Sequence, residues 1–383
     1  MYTFPKRLKV FSLACMIIGL LGLTYGFLSA PSTIEEAIEM TSSDHYGETV
    51  SHNEGHEKDS NHGEHLLHKL QNKPWAALYV SAFFFMMISL GVLAFYAIQR
   101  AAQAGWSIVL YRVMEGITAY LLPGGIIVIA ILVLSGLHFN HLFIWMDPEV
   151  VAHDEIIRNK SGYLNLPFFF ARAIFFLSGW VLYRYFSRKL SLKQDLTPSN
   201  DISNHKKNFK ISAAFLVFYF VTESVMSWDW VMSIDPHWFS TLFGWYVFAS
   251  MFVTGITVIA LITIYLKNNG YLDFVNDSHI HDLGKFMFAI SIFWTYLWFS
   301  QFMLIWYANI PEEVTYFMTR IEDYNLPFFG MLVMNFIFPL IILMNSDYKR
   351  VNYIIVMTGI VIVLGHYIDV FNMIMPSAVG DQW

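Results

Sequence analysis

Eleven residues, Trp228-Asp229-Trp230-Val231-Met232-Ser233-Ile234-Asp235-Pro236-His237-Trp238, set three tryptophans, two carboxylates and a histidine between two long apolar runs. Tryptophan suits the headgroup belt of a bilayer, where an apolar ring carries a polar N–H. Carboxylates beside hydrocarbon are costly unless they face a polar interior or the interface. The tract is therefore either a membrane-surface hairpin or the mouth of a polar route into the bilayer. Glu223 lies seven residues before the end of the preceding run, two turns deeper. With Ser224, Ser227 and Asp229 it makes a candidate polar stripe. Titratable carboxylates at graded depth, Glu223 and then Asp229 and Asp235, are what a proton relay needs; buried helix–helix hydrogen bonds are the alternative.

Other apolar runs carry ionisable groups too. His366 and Asp369, three residues apart near the C-terminus, share one helical face. A histidine with a carboxylate partner is a candidate proton relay or quinone-hydroxyl contact, against a purely structural pairing. Arg172 lies six residues into its run and calls for a carboxylate from a neighbouring helix. Glu115 follows Tyr111 and Arg112, and either pairs with Arg112 at the interface or joins the polar path. Trp294, Trp298 and Gln301 share one aromatic-rich run, which suits either a flat quinone-like ring or plain packing.

No nucleophile motif stands out, and no phosphate-binding glycine loop, dinucleotide fingerprint or HExxH metal motif is present. Cys15 is the only cysteine, so the chain forms no internal disulfide and ligates no cysteine-held iron–sulfur cluster. There is no C-x-x-C-H haem attachment, and nothing points to nucleic acid. His45, His52, His56, His62, His65 and His68 crowd the polar stretch 31–74 without a fixed ligand spacing. That stretch is expected to be a solvated loop, ordered only by partners, with a short interfacial helix near 64–68.

The elements that must hold these residues are membrane spans. A chain that is 56% hydrophobic, 14% charged and of mean hydropathy +0.48 is not a soluble domain. Nine apolar runs are long enough to cross a bilayer, at about 10–29, 75–98, 107–137, 166–186, 209–230, 241–266, 284–306, 326–345 and 351–374. The third contains Glu115 and Pro123-Gly124-Gly125, and is expected to kink, tilt, or split into a surface helix and a span. Loops on the N-terminal side hold most of the Lys and Arg, Lys206, Lys207, Lys210, Lys349 and Arg350 among them. The opposite side holds only Lys58, Lys69, Lys73, Arg158, Lys160 and Arg320. The positive-inside rule then puts the N-terminus in the cytoplasm, behind a retained anchor rather than a cleaved signal.

A repeat divides the remainder. Leu142-Phe143-Ile144-Trp145, Pro148-Glu149-Val150 and Tyr163-Leu164-Asn165-Leu166-Pro167-Phe168-Phe169 return about 160 residues later as Leu304-Ile305-Trp306, Pro311-Glu312-Glu313-Val314 and Tyr324-Asn325-Leu326-Pro327-Phe328-Phe329. The expected order is an anchor (1–30), the His-rich loop (31–74), a four-helix bundle (75–230), a connector (231–240), a second four-helix bundle (241–374) and a tail (375–383). The two bundles share one topology and are expected to be related by an axis near the membrane normal.

Three motifs carry a family resemblance: Ser227 through Trp238, Tyr111-Arg112-Val113-Met114-Glu115-Gly116, and Gln301 through Glu313. From about Trp75 onward the chain resembles the smaller, ActF-type membrane subunit of bacterial alternative complex III, one of the NrfD/PsrC-like membrane proteins. The resemblance implies a quinol-oxidising complex of the bacterial inner membrane that feeds a cytochrome c or a haem–copper oxidase. It implies partners: a multihaem cytochrome c, an iron–sulfur protein and a larger NrfD-like paralogue. Haem c and iron–sulfur clusters would lie in those partners and no cofactor in this chain, with menaquinone or another quinone nearest the paralogue. Family members carry a tenth span, so one is expected beyond Trp383, either cut from this sequence or absent. The reading is an all-α polytopic membrane protein in which Glu115, Arg172, Glu223, Asp229, Asp235, His366 and Asp369 make one polar path for protons. A parallel-repeat transporter and an inert membrane scaffold are its competitors.

Overall fold

The structure, a computed structural model, describes residues 4–44, 56–198 and 200–383, and every regular element among them is helical. Nine stretches are long and apolar enough to span a membrane among these residues. They are α1 (Lys6–Leu28), α3 (His56–Ala101, apolar from Leu66), α4 with α5 (Tyr111–Ile117, Leu121–Gly136), α8 (Leu166–Asp195), α9 (Ser203–Trp230), α10 (Phe243–Asn268), α11 (Asp277–Ala308), α13 with α14 (Asn325–Leu332, Phe338–Leu343) and α15 (Asn352–Val379). Short helices α2 (Ile34–Asp44), α6 (Pro148–His153), α7 (Glu155–Asn159) and α12 (Pro311–Glu322) lie between them. The end at which α1 begins is called the near side, the other the far side.

The helices close into two rings. In the first, α3 packs on α5, α5 on α8, α8 on α9 and α9 back on α3. In the second, α10 packs on α11, α11 on α14, α13 on α15 and α15 back on α10. Between rings, α3 meets α10, while α9–α10 and α15–α3 are mirror pairings. Exchanging the two halves maps α3–α10 onto itself and each other pairing onto its counterpart, as a twofold axis between two copies of one bundle requires. The helices that begin each repeat, α3 and α10, form the seam. A Cβ on Gly91 would overlap the Met251 carbonyl oxygen, and one on Gly255 would come within 2.8 Å of the Val92 amide nitrogen. Small residues let two membrane helices approach backbone to backbone, and here they join the bundles into one body.

Side chains and prolines set the ends and breaks. Asn165 caps α8 by accepting from the Phe168 amide, and Asn276 caps α11 through Ser278 and His279. The third apolar run is two helices joined by a 3₁₀ turn, Thr118–Tyr120. Pro123 lacks the amide that would meet the carbonyl four residues back, so the α-helix cannot run through unbroken. Pro339 does the same in the eighth span, where a π-helical turn, Val333–Ile337, precedes α14.

The polar stretch 31–74 departs from expectation. Where described it is helical: α2 lies against α3, which starts at His56 and runs unbroken into the second span. The reason is the apolar stripe on α2. Ala37 is fully buried, and a Cβ on Gly63 would overlap Ile34. Composition hid a short amphipathic face. His45 and His52 lie outside the described residues, as do the side chains of His56, His62 and His65. His68 stacks on His141 at 3.9 Å.

Candidate functional site

The centre of the second bundle is built from three helices. On α10, Tyr246 and Ser250 sit four residues apart and face α15, which presents His366 and Asp369 three residues apart. Trp294 reaches in from α11. Asp369 accepts from the Tyr246 hydroxyl, from Ser250 Oγ at 2.7 Å and from Trp294 Nε1 at 2.9 Å, with His366 Nδ1 at 3.3 Å. His366 Nδ1 also lies 3.0 Å from Ser250 Oγ. Since the serine proton goes to Asp369, Nδ1 carries the imidazole proton and donates, which in the neutral ring assigns Nε2 as the acceptor. Nε2 has no protein partner, and His366 and Asp369 are both fully buried. No Lys or Arg lies within 4.0 Å of Asp369 among the described residues.

Further buried polar atoms without partners lie in the same bundle. On the near side they include Asn335 (both amide atoms), Ser291 Oγ, Thr358 Oγ1 and Thr263 Oγ1. Asn335 belongs to the π turn and presses on Gly365, beside His366. On the far side they include Asn372 Oδ1 and both amide atoms of Gln301, and these two residues line a small cavity of about 10 Å³ with Tyr246, Trp298 and Arg320. That is the space of about one water. Unpaired buried groups of this kind are rare in folded proteins and call for a role or a solvent partner.

The other candidates lie elsewhere. At the far end of the first bundle, Asp229 on α9 holds Arg172 on α8 through two hydrogen bonds, 2.6 and 3.0 Å, and accepts from Tyr163 at 2.8 Å. The guanidinium also lies 4.0 and 4.2 Å from the rings of Tyr163 and Phe168. At the near end, Glu115 is bound by Arg112 at 2.6 Å, by Arg188 and by Tyr96 at 3.1 Å, with Arg100 at 3.9 Å. Asp235 is half-buried on the far-side connector, beside His237, whose Nε2 bonds Asp154 at 2.6 Å. The amide of Ile157 and the His237 ring hold Asp154 below the usual carboxylate range. Glu223 is buried on α9 and its Oε1 has no partner.

The seven residues therefore do not make one connected path. Glu223 and Asp229, read as one stripe, are six residues apart, which turns them roughly 120° from each other around the helix. Arg172 and Asp229 come together, as do His366 and Asp369; Glu115, Glu223 and Asp235 stand apart. Trp294 serves Asp369, and the space beside Trp298 and Gln301 is far too small for a quinone ring, so these three residues do not fit that ligand in this conformation.

Sequence reading missed Tyr246, Ser250, Asn335 and Arg320. Tyr246 and Ser250 left a signal: two polar groups at i and i+4 on a helix otherwise almost wholly apolar. Arg320 gave none, because α12 reads as an ordinary amphipathic surface helix. Compared with protein-family models and with curated proteins, the chain matches none.

Proposed function

We propose that this chain is a membrane subunit that gives protons a route through its second bundle, within a quinol:cytochrome c or quinol:oxidase oxidoreductase of the alternative complex III kind. The observation that carries the reading is the buried Asp369–His366 pair. It is a carboxylate met by neutral donors and an imidazole whose second nitrogen is a free acceptor. A carboxylate neutralised by an adjacent guanidinium is a poor proton carrier, because the ion pair resists protonation. A carboxylate held by hydroxyl, indole and imidazole donors has no guanidinium ion pair to oppose protonation. Depth supports the same reading: Asp369 is ten residues from the far end of α15, roughly 15 Å into the span.

The quinol chemistry, the multihaem cytochrome c, the iron–sulfur protein, the larger paralogue and the bacterial inner membrane with a cytoplasmic N-terminus rest on the motif resemblance and the basic near side. In this reading the redox groups belong to the partners, and the chain's own residues move or hold protons. Arg172–Asp229 and the Glu115 cluster act as ties, and that part of the molecule does the work of a scaffold.

The test is Asp369→Asn in the assembled complex in sealed vesicles. Quinol-dependent electron transfer is expected to persist while protons moved per electron fall about tenfold or more, as for loss of a positioned proton carrier. An unchanged proton ratio in a correctly assembled variant rejects the reading.

A further inference from the structure

We propose that Arg320 is an electrostatic gate at the far end of the second bundle, a fixed positive charge that keeps hydronium from passing between the far surface and the Asp369–His366 site. The proposal rests on the proton-path reading above and names what regulates that path.

Arg320 is 3% exposed, and no carboxylate lies within 4.0 Å of it among the described residues. It is held by backbone oxygens instead. Nε donates to Asn372 O at 3.0 Å, one terminal nitrogen to Tyr316 O at 2.8 Å and the other to Met373 O at 3.5 Å. Its guanidinium lies 3.4 Å from the Tyr316 ring centre. Burial pulls its proton affinity below the ordinary arginine value, yet a guanidinium remains charged in a protein. A buried cation without a bonded counter-charge is an expensive way to cap three carbonyls. A neutral amide would do that job more cheaply.

Its placement explains the cost. Asn372 and Met373 follow Asp369 by about one turn of α15, on the far side. The cavity lies at that junction, walled by Arg320, by Gln301 with its two unpaired amide atoms, and by Tyr246, which donates to Asp369. A water in this space would be the next carrier after Tyr246. The adjacent positive charge opposes an excess proton there, the way a fixed arginine excludes protons from a water-conducting pore. Above it, Trp238 stacks on Tyr316 at 4.0 Å and covers the junction. On the near side Asn335, Ser291 and Thr358 carry unpaired polar atoms, and the buried Lys349 lies out at the rim, where it bonds Leu343 O at 2.7 Å. The fixed charge thus stands between the pair and the far surface.

The test is passive proton leak in sealed vesicles carrying the assembled complex. Arg320→Gln is expected to raise the leak roughly tenfold by removing the repelling charge, with Arg320→Lys close to wild type. Adding Asp369→Asn to Arg320→Gln is expected to return the leak to baseline. Asn372→Asp supplies an independent route, because it puts a carboxylate in the same cavity wall while leaving Arg320 in place; it too should raise the leak. A folded Arg320→Gln or Asn372→Asp with wild-type leak overturns the gate, as does a leak that ignores Asp369→Asn. If Asp369→Asn alone abolishes proton movement while both gate variants stay tight, the gate is wrong and the path stands. If Asp369→Asn alone changes nothing, the path itself is wrong.

Discussion

The two bundles share a ring of helices and differ in how they treat buried charge. In the first, Asp229 and Glu115 are each clamped by arginine, at the far and near ends. In the second, Asp369 sits deeper and is bonded by hydroxyl, indole and imidazole groups, while the buried cation Arg320 is held by carbonyls and the Tyr316 ring. Two similar rings of helices thus hold their buried polar groups in different ways. Paired charges fix geometry. Separated and unpaired groups leave room for a proton to come and go.

If that contrast holds, the first bundle should answer mutation in stability and the second in proton movement. The largest effect is expected at Arg172. Arg172→Leu leaves Asp229 buried without its cation, which costs about 3–5 kcal/mol and should appear as a lower melting temperature of the detergent-solubilised protein. Arg172→Leu with Asp229→Leu should recover most of the loss, since a well-packed apolar pair replaces an ion pair at little cost. A single variant as stable as wild type breaks the comparison at its root.

Asn335 is expected to respond in the opposite direction. Both of its amide atoms are buried and unpartnered, so Asn335→Leu removes an unsatisfied group and should leave stability unchanged or raise it by about 1–3 kcal/mol. Proton translocation should nevertheless fall, because the near-side approach to His366 loses a polar step. A stabilised variant with undiminished translocation takes Asn335 out of the route. Glu223 is the smaller and sharper case, as the first bundle's exception: a buried carboxylate with one unpaired oxygen. Glu223→Gln is expected to shift stability by no more than about 1 kcal/mol and to leave translocation intact, since no hydrogen bond ties that oxygen to the second bundle. A collapse of translocation would extend the path across the seam.

The fold was legible because membrane spans announce themselves. Nine apolar runs and the Leu-Pro-Phe-Phe repeat were enough to expect two bundles, since no other element satisfies its backbone in hydrocarbon. The site was legible only as a set of residue types. His366 with Asp369 could be read from i,i+3 spacing, which is local. Arg172 with Asp229 spans two helices, and no sequence rule says which of several carboxylates an arginine reaches. Glu223 and Asp229 were misjoined because spacing along a helix was read without its rotation. Arg320 was invisible for a different reason: beyond its own helix, its surroundings come from Trp238 and the end of α15, which are remote in sequence.

The smallest expected effect concerns the far-side connections, where the bundles also differ. Over the second bundle, α12 is held down by the buried Arg320. Over the first, α7 begins at Asp154, which accepts from the Ile156 and Ile157 amides at 2.9 and 3.0 Å and bonds His237 of the connector at 2.6 Å. These contacts favour the ionised carboxylate and hold it below its ordinary range. A depressed carboxylate contributes stability that is present above its unfolded value, about 3.9, and is lost as pH falls through the folded value. Amide hydrogen exchange, corrected for its intrinsic pH dependence, should therefore show Ile156 and Ile157 losing protection in acid below about pH 4. The α12 amides, whose anchor does not titrate there, should hold. Asp154→Asn should remove most of the acid dependence at Ile156 and Ile157. Equal acid sensitivity of α7 and α12 would mean that the two far-side covers are not held by different chemistry.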